Sequence, residues 1–302
     1  MTAYDYVTVN VFTEQRFRGN PLAVIPDASG LTDAQMQAIA AEFNLSETTF
    51  VLPPENPRNH ARVRIFTRTA EMPFAGHPNV GTGYVLATMA GDPPEHYTFE
   101  EIAGLVRVHV LRDAAGAISG ARIAAPRSLS IDIGIPVEVA AACASLAEAD
   151  IATLSHTPLV ASVGTPFVIA EVASVEALSR AAPNLAAFRA AAERFPDMAG
   201  RFSLYLYAWT GGEERRIRAR MFAPLGGTFE DPATGSAAAT LAALLTSIAP
   251  GESADLQYAI EQGVEMGRPS LIIAAAVKTA EGPVSASVAG TCVPVMRGTL
   301  QV

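Results

Sequence analysis

The chain has 302 residues, half of them hydrophobic, which is enough to bury a large core and most naturally forms two domains. Its formal net charge of −9 argues against nucleic acid or an anionic membrane surface as the main partner. The two cysteines, Cys143 and Cys292, lie far apart and show no metal-ligand spacing. We therefore expect buried thiols and no metal site.

The N-terminus starts directly with a strand-like run, residues 4–12, and shows no basic segment followed by an apolar signal region. Charged residues and prolines interrupt the long alanine-rich runs, so no segment approaches the length of a membrane span. The sequence predicts a cytoplasmic protein with no membrane partner.

The first half of the chain combines β-branched, alternating runs with two helical segments. Val7, Val9 and Val11 alternate along the first predicted strand. An amphipathic helix is predicted over residues 31–43, with Thr32 as its N-cap. Further strands are predicted at 22–25, 48–52, 61–67, 96–99, 106–111 and 121–125.

The second half begins after residues 126–134, which are the best candidate for a linker. Helices are predicted over 136–149 and over 175–195, the latter broken at Pro183. The remaining predicted strands are 159–163, 167–172, 202–209, 215–223, 270–278, 284–288 and 293–300, with 202–209 and 215–223 forming a hairpin across Gly211-Gly212.

Residues 229–236 read Phe-Glu-Asp-Pro-Ala-Thr-Gly-Ser and precede an Ala/Leu run that is apolar on nearly every side. Asp231 is predicted as the N-cap of this helix and Pro232 as its first residue. A buried helix that begins with Gly and Ser presents unpaired backbone N–H groups, which favour an anion. The alternative from this segment alone is a capped core helix without a ligand.

A similar arrangement precedes the apolar run 80–89, where residues 73–79 read Pro-Phe-Ala-Gly-His-Pro-Asn. In both halves a strand leads through a Gly/Pro-rich turn into a buried helix, so two similar domains are predicted. His77 and Ser236 correspond, since each follows a glycine. The sequence contains many strands and one apolar helix in each half. A sheet curled around a central helix would account for both features.

Five segments, taken in order, resemble the successive signatures of the PhzF family of phenazine biosynthesis-like isomerases. They read FRGNPLAV at 17–24, NLSETTF at 44–50, PFAGHP at 73–78, EDPATGSA at 230–237 and MGRPS at 266–270.

The resemblance implies an α/β (α+β) fold like that of diaminopimelate epimerase, with two similar domains, each a β-barrel-like sheet wrapped around a central helix. The N-terminal domain is expected over residues 1–127, with a possible return of the C-terminal strand, about 289–302. The second domain is expected over 128–288. The family also implies a homodimer and a substrate site in a cleft between the domains.

The resemblance assigns the catalytic acid/base to Glu47, with His77 and Asp231 as catalytic partners. The substrate-binding residues that it implies are Gly76, Ser236, Gly235, Asn20, Ser46 and Asn79. The family usually has Thr at the last of these positions, so the Asn leaves the substrate contacts at that edge open. Epimerase relatives use two cysteines where this chain has His77 and Ser236, so a thiol mechanism is not expected.

The chemistry agrees with the residue types. Moving a proton between carbons needs a group that both takes and gives it where water is scarce, and partial burial of Glu47 would raise its pKa. His77 at a helix start should be neutral, because the positive end of the helix dipole opposes a second charge.

No cofactor is expected. Gly235-Ser236 is not followed by Lys, so there is no P-loop, and Gly81-Thr82-Gly83 is too short for a dinucleotide fingerprint. We therefore predict a cofactor-independent isomerase or epimerase acting on a small carboxylic acid. The alternative is a non-catalytic carboxylate-binding protein that retains the cleft. Arg18 and Arg268 are the alternative positions for the substrate carboxylate.

Overall fold

The computed structural model describes residues 2–198, 202–212 and 215–302. By their internal contacts these residues divide into two compact units, Met1–Pro126 with Ala289–Val302, and Arg127–Val288. We call them unit 1 and unit 2. No helix among the described residues is long and apolar enough to cross a membrane.

Unit 1 is a closed barrel. Its strands are β1 (Ala3–Val11), β2 (Asn20–Ile25), β3 (Glu47–Leu52), β4 (Ala61–Phe66), β5 (Glu71–Met72), β6 (His96–Glu101), β7 (Gly104–Arg112), β8 (Ile118–Ala124) and the end of β18 (Ser285–Gln301). Apart from the short β5, each strand pairs with the next, and β18 pairs with both β8 and β1 to close the ring. The two strands predicted at 284–288 and 293–300 are therefore one strand.

The helices of unit 1 are α1 (Asp33–Phe43) and α2 (Gly76–Met89). Thr32 caps α1 as predicted, in a reciprocal capping box with Gln35. Helix α2 is buried without interruption from Gly76 to Val85 and packs against β1, β2, β3, β7 and β8. It is the helix around which the barrel of unit 1 closes.

Unit 2 repeats this connectivity. Its strands are β9 (Ser130–Gly134), β10 (Ile151–Ala152), β11 (Leu159–Ser162), β12 (Pro166–Val172), β13 (Leu204–Trp209), β14 (Arg216–Ala223), β15 (Thr228–Asp231), β16 (Ala254–Gln262) and β17 (Ser270–Lys278). From β12 to β17 the pairings are parallel, antiparallel, parallel and antiparallel, as they are from β2 to β7. The predicted internal repeat is thus present in the strand order.

The helices of unit 2 are α3 (Val137–Ala144), α4 (Val175–Arg180), α5 (Leu185–Arg194) and α6 (Gly235–Ser247). Helix α6 occupies the place of α2: it follows β14 and β15, and it packs against β11, β12, β16 and β17. Its residues Ala237 to Thr246 are all buried. Both helices that the sequence predicted to be buried are buried.

Three further predictions of local structure were wrong. The predicted linker contains β9, which pairs with β11. The helix predicted over 136–149 ends at Ala144, because Ser145 adopts a left-handed conformation with φ of 56°. Strand β16 was missed, although Tyr258, Ile260 and Gln262 alternate on its buried face.

The closure of unit 1 leaves no space for a side chain where β8 meets β18. A Cβ on Gly120 would overlap the carbonyl oxygen of Gly290. We expect Gly120→Ala to lower the free energy of unfolding by roughly 1–3 kcal/mol, since backbone would have to move. Gly91→Ala is the matched control, because a Cβ there meets nothing within 4 Å and should change stability by about 0.5 kcal/mol or less. Urea unfolding of both variants measures this, and equal stabilities would contradict it.

Candidate functional site

The candidate acid/base, Glu47, lies with other polar residues at one edge of the barrel of unit 1. It is the first residue of β3, and Asn20 is the first residue of β2. These two strands are parallel, with Leu22 opposite Glu47, so both begin at one edge of the barrel. The side chain of Glu47 is 16% exposed, which leaves it partly accessible.

His77 reaches the same edge from the start of α2. Its Nε2 lies 3.5 Å from Oε2 of Glu47, and its Nδ1 lies 3.4 Å from Nδ2 of Asn20. The Oγ of Ser46 donates to Oδ1 of Asn20 at 3.3 Å. Four residues that the sequence analysis singled out are thus brought together: Ser46, Asn20, His77 and Glu47.

This network assigns the tautomer of the histidine. The amide oxygen of Asn20 accepts from Ser46, so its nitrogen faces the ring and donates to Nδ1 of His77. The ring proton of a neutral imidazole then lies on Nε2, the atom nearest to Glu47. The imidazole can therefore offer a proton toward the carboxylate without carrying a charge.

Burial keeps this imidazole neutral. It lowers the pKa of His77 to about 3. A neutral ring was predicted from the helix dipole, whereas desolvation is the cause in the structure. A salt bridge with Glu47 is consequently not formed near neutral pH.

The first turn of α2 carries the other predicted residues of unit 1. Ala75 is its N-cap residue and makes no side-chain capping bond, so the backbone N–H groups beginning at Gly76 receive no cap. Asn79 is fully buried, and its Nδ2 donates to the carbonyl oxygen of Ala75 at 3.0 Å. The amide nitrogen of Asn79 therefore forms a hydrogen bond at the start of α2.

In unit 2 the predicted N-cap was wrong. Asp231 is the last residue of β15 and pairs with Met221, so its backbone belongs to the sheet. Helix α6 begins four residues later, at Gly235, with Thr234 as the N-cap residue. The hydroxyl of Thr234 donates to Oδ2 of Asp231, and the first turn, Gly235 and Ser236, keeps no side-chain cap.

Gln262, the last residue of β16, connects these groups and was not among the residues predicted from the sequence. Its Oε1 accepts from the hydroxyl of Tyr205 and from the backbone N–H of Thr234, both at 3.2 Å. Its Nε2 donates to the carbonyl oxygen of Asp231 at 2.8 Å and to Oγ1 of Thr234 at 3.1 Å. All four hydrogen-bonding positions of this fully buried amide are occupied.

Gln262 therefore fixes the path of the chain from Asp231 into α6. The alternation of Tyr258, Ile260 and Gln262 was the available signal, because it places a polar side chain where the strand period predicts burial. Ser236 is the second residue of α6, as His77 is of α2, so the predicted correspondence of these residues is present in the helices.

Among the described residues no three His, Cys, Asp or Glu side chains are grouped so that they could hold a metal ion. Cys143 and Cys292 are buried free thiols, and burial raises the pKa of both.

Comparison with known proteins identifies the family. The family model described as phenazine biosynthesis-like protein, PhzC-PhzF, matches residues 9–298. The chain is 40% identical over 305 residues to an uncharacterized isomerase of Mesorhizobium japonicum, covering 99% of both chains. It is 37% identical over 298 residues to the trans-2,3-dihydro-3-hydroxyanthranilate isomerase of Pseudomonas chlororaphis, covering 98% of this chain and 99% of that protein.

Among solved structures, a PhzF family phenazine biosynthesis protein of Bacillus anthracis superposes with a TM-score of 0.87 at 26% identity, over 100% of both chains. The sequence relatives are isomerases and are matched over nearly their whole length, and the barrel architecture agrees with the solved structure. This chain is an isomerase and belongs to the PhzC-PhzF, phenazine biosynthesis-like family.

Proposed function

We propose that the protein is a cofactor-independent isomerase that moves a proton between two carbons of a small carboxylic acid, with Glu47 as the acid/base. The observation that carries the proposal is the placement of a neutral His77, with Nε2 3.5 Å from Oε2 of Glu47, at one edge of the barrel. The relative from Pseudomonas chlororaphis is named for a hydroxylated cyclic amino acid, which makes a cyclic hydroxy or amino acid the substrate class to test first.

The proposed reaction is balanced within one substrate molecule. The Glu47 carboxylate takes a proton from a carbon, so that a C–H bond breaks, an O–H bond forms and the double bond moves. The same carboxyl then returns the proton to another carbon of the substrate. No electrons leave the substrate, so no oxidant or reductant is needed.

His77 has a supporting role in this proposal. Its Nε2 proton can stabilise the Glu47 carboxylate after the proton has been returned, or donate to the substrate. Since the ring is neutral, it can do so without adding a charge to a buried site. Asn20 and Ser46 hold the tautomer that this role requires.

We also propose that backbone N–H groups of uncapped helix starts bind the carboxylate of the substrate. The first turns of α2 at Gly76 and of α6 at Gly235 and Ser236 present such N–H groups, because neither helix has a side-chain cap. Asp231 would then hold an amine or hydroxyl of the substrate, and Asn79 keeps the first turn of α2 in shape.

Glu47→Gln should lower turnover by roughly 10²–10⁴-fold, since an amide cannot take up the proton. The measurement is deuterium uptake at carbon from deuterated water, with trans-2,3-dihydro-3-hydroxyanthranilate and a panel of small cyclic hydroxy and amino acids. Glu14→Gln, an exposed glutamate of the same unit, is the control. Unchanged exchange by the Glu47 variant would remove Glu47 from the mechanism.

Ser236→Ala should raise KM by roughly 2–10-fold, because one neutral hydrogen bond to the substrate is worth about 0.5–1.5 kcal/mol. The backbone N–H groups of the first turn remain in this variant. Ser247→Ala, in the last turn of the same helix, is the matched control. An unaltered KM for Ser236→Ala would show that its hydroxyl does not contact the substrate.

Gln262→Leu should lower the free energy of unfolding by at least about 2 kcal/mol, since it leaves the buried Tyr205 hydroxyl and the N–H of Thr234 without their partner. It should also lower turnover by releasing Asp231. Gln257→Leu, at an exposed position of the same strand, is the control. Urea unfolding that fails to separate the two variants would contradict the role of this amide.

A further inference from the structure

The outer face of the barrel of unit 1 carries a group of positive and protonatable side chains that the proposed reaction does not use. The valines of β7 at positions 106 and 108 are buried, so Arg107 and His109, which alternate with them, lie on the outer face. Strand β8 places the exposed Arg122 directly opposite His109. Arg107 and Arg122 are therefore diagonal neighbours on adjacent strands, roughly 7–8 Å apart, and His109 adjoins both.

A second histidine extends this row across the sheet. His96 of β6 lies opposite His109, and the centroids of the two rings are 5.6 Å apart. The ring of His60 lies 6.3 Å beyond that of His96, but its Nδ1 accepts from the backbone N–H of Thr98 at 3.0 Å. An acceptor nitrogen carries no proton, so His60 is a neutral neighbour of the group. We call the group the cationic face, and it consists of His96, Arg107, His109 and Arg122.

The cationic face has no protein partner of its own. Within the described residues its four side chains form no hydrogen bond and no ion pair. Other arginines of unit 1 are paired, Arg62 with Glu55 at 2.8 Å and Arg64 with Glu71 at 2.7 Å. The donors of Arg107 and Arg122 are therefore available to a ligand.

Few negative charges surround the cationic face. Glu95, which precedes His96, is the one acidic side chain among the described residues whose charge acts on His109. Strand β18 pairs with β8, and its residues 289–296 include no charged side chain. One carboxylate therefore faces two guanidinium groups and two imidazoles, in a chain whose formal net charge is −9.

The positive groups repel one another. Partial burial lowers the pKa of His109, and the positive charges of the other three members of the cationic face lower it further. Glu95 acts in the opposite direction and offsets only part of this effect. Like charges opposite each other on neighbouring strands destabilise a sheet. An anion at this place would remove the repulsion and accept charge-assisted hydrogen bonds from the guanidinium groups.

We propose that the cationic face binds a tetrahedral dianion, a phosphate or sulfate group, between Arg107 and Arg122, with His109 as a third donor. The planar guanidinium suits this ligand, because it presents two N–H donors to a pair of oxygens of the anion. His109 adds an N–H donor and, once protonated, a positive charge. The proposal does not rest on the proposed function, since no residue used in that reaction belongs to the cationic face.

The direction of the pH effect follows from the state of His109. In the free protein its pKa lies below the ordinary value of 6.5. A bound anion favours the imidazolium and raises this pKa, so binding takes up a proton. The affinity should therefore fall as the pH rises through this range. Sulfate is the suitable probe, because it remains a dianion from pH 5.5 to 8 and the change in affinity then comes from the protein.

The first test is a sulfate titration of the full chain at constant ionic strength, with chloride as the balancing anion, followed by amide and histidine-ring NMR shifts. We expect the shifts of Arg107, His109 and Arg122 to saturate together. Binding should be roughly 2–10-fold tighter at pH 5.5 than at pH 8, since a nearby charge shifts a pKa by up to about one unit. His109→Gln should lose most of this pH dependence, whereas the control His60→Gln should keep it. An affinity that does not change with pH in the wild type would contradict the role of His109.

The second test removes the guanidinium groups. Arg107→Gln and Arg122→Gln should each weaken sulfate binding roughly 3–10-fold, and the double variant should weaken it further. Arg189→Gln, at an exposed position of α5, removes the same charge and is the control. Glycerol 3-phosphate and inorganic phosphate are compared on the same variants. Tighter binding of the ester would assign the ligand to phosphorylated small molecules, and tighter binding of inorganic phosphate would assign it to the free anion.

The same titration separates this site from the proposed substrate site. Sulfate shifts at the helix starts, Gly76 and Gly235, that persist in the double variant report the anion site of the proposed function. Shifts at the cationic face that disappear in the double variant support the proposal made here. Equal sulfate affinity of the cationic face in the wild type and the double variant, or shifts confined to the helix starts, would overturn it.

Discussion

An α-helix that is apolar on every side must be enclosed, and α2 and α6 impose this requirement on the two units. The sheet can close around α2 only because the helix is narrow. A Cβ on Gly81 would lie 2.5 Å from Cδ2 of Leu22, so the side chains of the barrel occupy the space that another residue would need. The same enclosure takes the first turn of the helix out of water, and the chemistry of the candidate site depends on it.

Burial decides the state of the polar groups at these helix starts. His77 is neutral because it is desolvated, and Asn20 then determines which nitrogen carries the proton. Gln262 can be fully buried because each of its hydrogen-bonding positions is occupied. In the low dielectric of an interior, an incomplete network is costly and a complete one is rigid. Rigidity is what a site needs if it must hold a proton donor and an acceptor a few ångströms apart.

The two units use one connectivity with different chemical groups at equivalent places. Each central helix begins at a glycine, and the next residue is His77 in α2 and Ser236 in α6. The start of α2 is held by Asn79, which bonds the N-cap carbonyl, and the start of α6 is held by Gln262 from a neighbouring strand. The repeat thus preserves the backbone arrangement while the polar side chains diverge.

The sequence by itself was sufficient to predict the features that follow from local periodicity and from the order of the motifs. These include both buried helices, the Thr32 cap, most strands, the repeat and the family. It also selected Glu47, His77, Asn20 and Ser46, which the structure brings to one edge, although the catalytic and binding roles given to these residues remain predictions. These features could be read because hydrophobic spacing and cap residues are properties of short segments.

Only the tertiary structure decided which polar groups meet and what state burial gives them. Asp231 looked like an N-cap from its neighbours in sequence, but pairing with Met221 keeps it in the sheet and moves the helix start to Gly235. Gln262 lies in no recognised motif, and its hydrogen-bond partners are tens of residues away along the chain. Hydrogen bonding and desolvation depend on distances in space, which the order of residues does not contain. For this reason the neutral His77 and the fully hydrogen-bonded Gln262 emerge only from the folded chain.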